Sequence, residues 1–160
     1  LPESLQDSHD YQLIEDRYID GTPLRLRRMS DASGQVTALK LTQKYQASDQ
    51  TAYATTITNL YLDEASYALL ETLPARVLLK RRYKLVNGRF QFSIDQFRGP
   101  LEGLVLAEIE QPDMDSLLTI PHPAFARREV TEDPRFTGGE LVGLTEIQCQ
   151  QLFRGIFLGN

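Results

Sequence analysis

Three short stretches of this sequence place cations at alternate positions: Arg25 and Arg27, Lys40 and Lys44 with Thr42 between them, and Lys80 and Arg82. In an extended chain alternate side chains point the same way, so each set forms one charged row. The opposite rows are apolar: Leu24 and Leu26, then Leu39, Leu41 and Tyr45, then Leu79, Tyr83 and Leu85. Carboxylates follow the same rule, with Glu108 and Glu110 flanking Ile109, and Asp95 opposite Ile94, which shares its side with Phe90 and Phe92. Arg and Lys hold phosphate oxygens, Arg with two parallel hydrogen bonds, and carboxylates hold a hard divalent cation. Together they are the equipment of phosphoryl transfer. Half-exposed strands also put charge outward as a matter of course. Such faces mix signs, however, whereas here three strands present only cations and the acids gather at 95–115 and 129–140. That segregation predicts one shared cavity, with Arg28 and Arg81 on the far side and exposed to solvent.

The rest of the composition excludes several classes. The 160 residues carry a net charge of −5, which argues against a general nucleic-acid binder. No apolar stretch approaches the ~20 residues that span a bilayer, so no membrane partner is expected. His9 and His122 are far apart and Cys149 is the sole cysteine, so zinc held by nitrogen and sulfur is not expected. Any metal falls to carboxylates, which suits Mg²⁺, Mn²⁺ or Ca²⁺. A lone thiol fits a reducing, cytoplasmic setting, and Cys149 reads as a packed thiol. The chain has neither a G-x-x-x-x-G-K-[ST] loop nor a G-x-G-x-x-G turn, so side chains must do most of any phosphate binding.

The elements that would position these groups are mostly strands: 11–19, 24–30, 36–45, 52–61, 76–86, 89–97 and 104–110. Asn87-Gly88 joins the clearest hairpin. Asp63 caps a helix that buries Ala65, Leu69, Leu70 and Leu73 and stops at Pro74. Ser116 to Leu118 reads as one helical turn, Gly138-Gly139 as a break, and Leu144 to Phe157 as a C-terminal amphipathic helix opening on Thr145. Tyr53, Tyr61 and Tyr83 read as packing residues. Seven strands in meander order predict one domain over 1–160, an antiparallel barrel or a strongly curled sheet.

Six segments in this order resemble the CYTH superfamily, the triphosphate tunnel metalloenzymes, from about Tyr11 to Leu141. They are Leu24-Arg25-Leu26-Arg27, Leu41-Thr42-Gln43-Lys44, Lys80-Arg81-Arg82-Tyr83, Ile94-Asp95-Gln96-Phe97, residues 103–110, and Glu129-Val130-Thr131. The family includes thiamine triphosphatases, inorganic triphosphatases and some adenylate cyclases. The resemblance implies a mainly β fold: a closed eight-stranded antiparallel barrel with a few peripheral helices. It implies that Arg25, Arg27, Lys40, Lys44, Lys80 and Arg82 bind a triphosphate, and that Glu108, Glu110 and Asp95 hold Mg²⁺ or Mn²⁺. Lys44, Glu108 and Glu110 would serve catalysis, and the resemblance leaves room for a homodimer.

The sequence also departs from the family. Nothing in 1–10 matches the opening Glu-x-Glu-x-Lys strand, Ala54 to Thr58 supplies no carboxylate pair, and Gly138-Gly139 stands where many members carry Asn. The chain has no initiator Met, so a first strand upstream of Leu1 is expected. The reading that follows is a metal-dependent hydrolase of inorganic, thiamine or nucleoside triphosphates. A polyphosphate-binding module without efficient chemistry, an adenylate cyclase, and an apolar-ligand barrel are the competing functions.

Overall fold

The computed structural model describes residues 1–45 and 56–157, the side chains of 44, 45 and 157 aside. Seven strands follow in chain order: β1 (Gln12–Ile19), β2 (Leu24–Ser30), β3 (Val36–Tyr45), β4 (Thr56–Tyr61), β5 (Ala75–Asn87), β6 (Phe90–Phe97) and β7 (Val105–Glu108). They form one antiparallel sheet in the order β4-β3-β2-β1-β5-β6-β7. The strand expected over 52–61 is described from Thr56 onward, and its first residues lie outside the described ones.

Helix α1 (Glu64–Glu71) starts where Asp63 accepts a hydrogen bond from the Ser66 amide. It packs against β2 and β3 over Ile19, Leu26 and Tyr67. The buried face is therefore Tyr67 and half-buried Leu70, not the expected Ala65 and Leu69, which stay exposed. The aromatic ring reaches the sheet from a position a turn away from the leucine stripe. On the same side of the sheet, Leu5, Tyr83, Phe92 and Ile94 form a second cluster with Tyr11 and Phe125. Three further helices follow: α2 (Met114–Leu118), α3 (Gly138–Leu141) and α4 (Glu146–Phe157). Gly138-Gly139 thus begins a short helix where a break was expected. At α4, Thr145 and Gln148 exchange hydrogen bonds as a reciprocal cap.

The opposite face of the sheet holds the third cluster at one end only. Leu78 and Phe97 pack there against Phe136, Leu141, Cys149 and Leu152, so α3 and α4 cover that end. Arg25 on β2 and Glu108 on β7 line one cavity on this face. Four strand spacings separate them, about 19 Å on a flat sheet, so the sheet must curl toward this side. It does not close: β4 and β7 are its two edges, and no ladder joins them among the described residues. The closed eight-stranded barrel is thereby corrected to a curled seven-stranded sheet.

The hairpin between β5 and β6 corrects another detail. Asn87 pairs with Phe90, which leaves Gly88 and Arg89 as the two loop residues. Gly88 has φ +61° and no described non-glycine residue, Arg89 included, has positive φ, so the turn is of the II′ kind, with glycine first. Gly88→Ala should therefore cost about 1–2 kcal/mol in urea denaturation, while Asn87→Ala should change stability by less than about 0.5 kcal/mol.

Candidate functional site

The ladders put the predicted charges on one face. Asp16 on β1 stands opposite Arg27, and Tyr18 opposite Arg25. Arg27 in turn stands opposite Lys40, and Arg25 opposite Thr42. Across β1, Lys80 sits beside Ile14 and Arg82 beside Gln12, while Asp95 pairs with Arg82. Arg25, Arg27, Lys40, Lys80 and Arg82 thus share the concave face with Asp16, Asp95 and Glu108. The backbone register gives Lys44 the same parity as Lys40, but its side chain lies outside the described ones. Glu110 lies past the end of β7 and is exposed, so the strand does not carry it into this group.

Two carboxylates organise these cations. Asp16 is 1% exposed and takes a two-pronged contact from Arg27, Nε to Oδ1 at 2.6 Å and Nη2 to Oδ2 at 2.7 Å. Asp95 is 0% exposed and accepts from Lys80 Nζ at 2.5 Å and from both Nε and Nη2 of Arg82 at 2.6 Å. Arg82 Nη2 also reaches Glu108 Oε2 at 2.6 Å. Burial alone would raise the carboxyl pKa of Asp95, but the hydrogen bonds of Arg82 and the charge of Lys80 outweigh it and hold it below the ordinary carboxylate range. Asp16 is likewise pushed up by burial and pulled down further by Arg27 and Arg25. Both aspartates are ionised partners of basic residues.

Arg25 is different. Its Nε lies 3.4 Å from Asp16 Oδ1 yet is buried with no hydrogen-bond acceptor among the described residues. The carboxylate is already engaged by Arg27. A buried, unmatched guanidinium donor on a cavity wall is a place for an anion. Lys80 and Glu108 line the same cavity, over a floor of Leu78 and Phe97. Lys40 sits 4.9 Å from the ring centre of Tyr61, which is 70% exposed and so not the packing residue expected. Arg28 and Arg81 do face the other way, but they are half-buried over the rings of Tyr67 and Tyr11 rather than solvated. Tyr83 and Cys149 are packed as expected, and His122 is exposed in its loop.

Among the described residues no three Asp, Glu, His or Cys side chains converge as a metal site. Asp95 is enclosed by two cations, Glu108 is 51% exposed and held by Arg82, and Glu110 stands apart. The described carboxylates therefore do not fit a resident Mg²⁺ or Mn²⁺.

Sequence reasoning missed Asp16, Tyr18 and Asn59, which accepts a hydrogen bond from buried Thr42 at 2.8 Å. The signal for the first two was in the turn: a four-residue loop between Ile19 and Leu24 places Tyr18 opposite Arg25 and Asp16 opposite Arg27.

No family model matches the chain. A 66-residue segment is 44% identical to an inorganic triphosphatase of Acetivibrio thermocellus, covering 41% of this chain and 41% of that protein. The match thus spans less than half the length of that relative. Two solved structures share the fold. A crystal structure of the inorganic triphosphatase NE1496 has a TM-score of 0.56 at 23% identity, covering 86% of this chain and 85% of that one. A structure of the hypothetical protein NE1496 has a TM-score of 0.54 at 24% identity, covering 84% and 86%. No described helix is long and apolar enough to cross a membrane.

Removing the Asp95 carboxylate strands buried Lys80 and leaves half-buried Arg82 with Glu108 alone, so Asp95→Ala should lose about 3–5 kcal/mol of stability at pH 7. Because the folded pKa of Asp95 is depressed, its contribution is full above the unfolded carboxylate pKa of about 3.9 and is lost as the pH falls through the folded value. Urea melts of wild type and variant should accordingly converge only below about pH 4.

Proposed function

We propose that this chain binds inorganic triphosphate on its concave basic face and hydrolyses it. Arg25 carries the proposal: its buried guanidinium donor lacks an acceptor and borders a cavity that Lys80 also lines. A phosphate oxygen completes that donor, and Arg27, Lys80 and Arg82 add positive charge held in place by Asp16 and Asp95. The local match to an inorganic triphosphatase and the shared fold support the same substrate.

In the reaction, water attacks the terminal phosphorus, the bridging P–O bond breaks, and orthophosphate and pyrophosphate leave. The basic residues neutralise charge that builds on the phosphoryl oxygens, a preorganised electrostatic contribution that needs no covalent intermediate. The described carboxylates do not form a cation site, so neutralising the phosphate chain falls to the basic residues. Glu108, half-exposed at the cavity margin, is placed to meet the attacking water. Lys40, opposite Arg27, extends the basic row onto β3.

Tripolyphosphate should raise the melting temperature, by about 2.7 kcal/mol of stability at a hundredfold excess over its Kd. Orthophosphate should do much less at equal ionic strength. Arg25→Ala leaves the Arg27–Asp16 contact intact, so the variant should fold and yet bind tripolyphosphate at least about tenfold more weakly, the worth of one hydrogen bond to a charged group. Equal thermal shifts for the two anions would contradict the proposal.

A further inference from the structure

The concave face changes character at its β4 edge. Cations on β2, β3 and β5 charge much of it, whereas β4 carries no charged residue. The β4 residues that look onto this face are Ile57, Asn59 and Tyr61, which stand across the ladder from Lys44, Thr42 and Lys40. All three are exposed. An aromatic ring left in water on a face built to hold a ligand is apolar surface that a ligand can cover. The triphosphate reading uses none of the three.

Two rungs of the ladder fix where this edge lies. One runs Arg27, Lys40, Tyr61, and the next Arg25, Thr42, Asn59. The step from β2 to β4 is two strand spacings, about 10 Å, which a phosphate chain ending in a sugar and a ring can cover. Lys40 Nζ lies 4.9 Å from the Tyr61 ring centre, so the ammonium and the ring hold each other beside the basic row. Asn59 is oriented by a buried neighbour. Its side-chain oxygen accepts a hydrogen bond from the Thr42 hydroxyl at 2.8 Å, and Thr42 is 1% exposed. With that oxygen engaged, the amide presents its NH₂ group as a donor.

We propose that Tyr61 and Asn59 form a subsite for a planar ring carried on the phosphate chain at the end remote from the attacked phosphorus. The ring stacks on the open face of Tyr61, and the Asn59 NH₂ donates to an acceptor on the ring's edge. The inference rests on the triphosphate reading and deepens it: the ligand class widens from the inorganic chain to triphosphates esterified at one end by a heteroaromatic nucleoside. Direction follows from the charge. The free terminal phosphoryl group lies in the cavity of Arg25, Lys80 and Glu108, the chain passes Arg27 and Lys40, and the neutral ring ends on the neutral strand. A chain lying the other way would set its ring among charged groups and its charge on β4. Stacking tolerates any base, since each has a π-face, so the subsite prefers a ring without reading which ring it is.

Calorimetric titration of the whole chain with tripolyphosphate, adenosine 5′-triphosphate and ribose 5-triphosphate, which lacks only the base, tests this. Wild type should bind adenosine triphosphate at least about fivefold more tightly than ribose triphosphate, the low end of what stacking one base contributes. Tyr61→Leu keeps an apolar side chain on the exposed edge, so it should erase that preference while tripolyphosphate affinity holds. Tyr61→Phe keeps the ring and should keep the preference, and Asn59→Ala should reduce it. If wild type binds tripolyphosphate but shows no preference for the base, the subsite inference is overturned while the phosphate site stands. A preference that survives Tyr61→Leu or Asn59→Ala unchanged overturns it equally. If wild type does not bind tripolyphosphate at all, the triphosphate reading falls and the subsite falls with it.

Discussion

Everything on the concave face depends on two carboxylates that water does not reach. Asp16 and Asp95 are ionised in the interior of a sheet, which is tolerable only because cations meet them at hydrogen-bond distance. The dependence is mutual. Arg27, Lys80 and Arg82 could not be held this close together without the carboxylates between them. The pairs therefore work less as stabilising contacts than as a jig that fixes guanidinium and ammonium groups on a curved wall. Arg25 lies within ion-pair distance of Asp16 but takes no part in those hydrogen bonds.

The proposed binding of a triphosphate rests on that arrangement. Long flexible side chains in water would bind phosphate only after losing rotamer freedom; here much of that ordering is already done in the folded state. Apolar packing at one end, from Leu78 and Phe97 to Leu141 and Leu152, gives the face a closed end. The curled sheet brings Glu108 on β7 to the margin of the same cavity. An extended polyanion lying along such a face meets fixed donors along its length.

Much of the face is legible in the sequence: strand parity groups Arg25 with Arg27 and Lys80 with Arg82, charge segregation joins those rows with Asp95, and the ladders put all five on one face. Alternation speaks of facing and not of pairing, so it could not reveal that Asp95 is enclosed by Lys80 and Arg82. Nor could it show that β7 leaves the ladder at Glu108, although β6 runs on past Ser93 to Phe90, so that Glu110 falls beyond the paired residues. Asp16 escaped because it stands alone among apolar and mixed neighbours, with no second acid at i+2 to mark a row. The leucine stripe of α1 misled because helical periodicity counts leucines, whereas Tyr67 has the length to reach Leu26. Alternation makes Arg28 and Arg81 look solvated, because charge on an outer face usually is; Tyr67 and Tyr11 instead give each guanidinium a ring to lie on.

The central claim is that the concave cations hold a triphosphate in a chemically productive place, and ³¹P NMR of tripolyphosphate with the protein and Mg²⁺ addresses it directly. The account predicts that the terminal and middle resonances shift or broaden on mixing, and that orthophosphate and pyrophosphate then grow in at equal rates. High salt should suppress both effects, since the attraction is between charges on a face open to solvent. Tripolyphosphate resonances that neither move, broaden nor decay at low salt would contradict it.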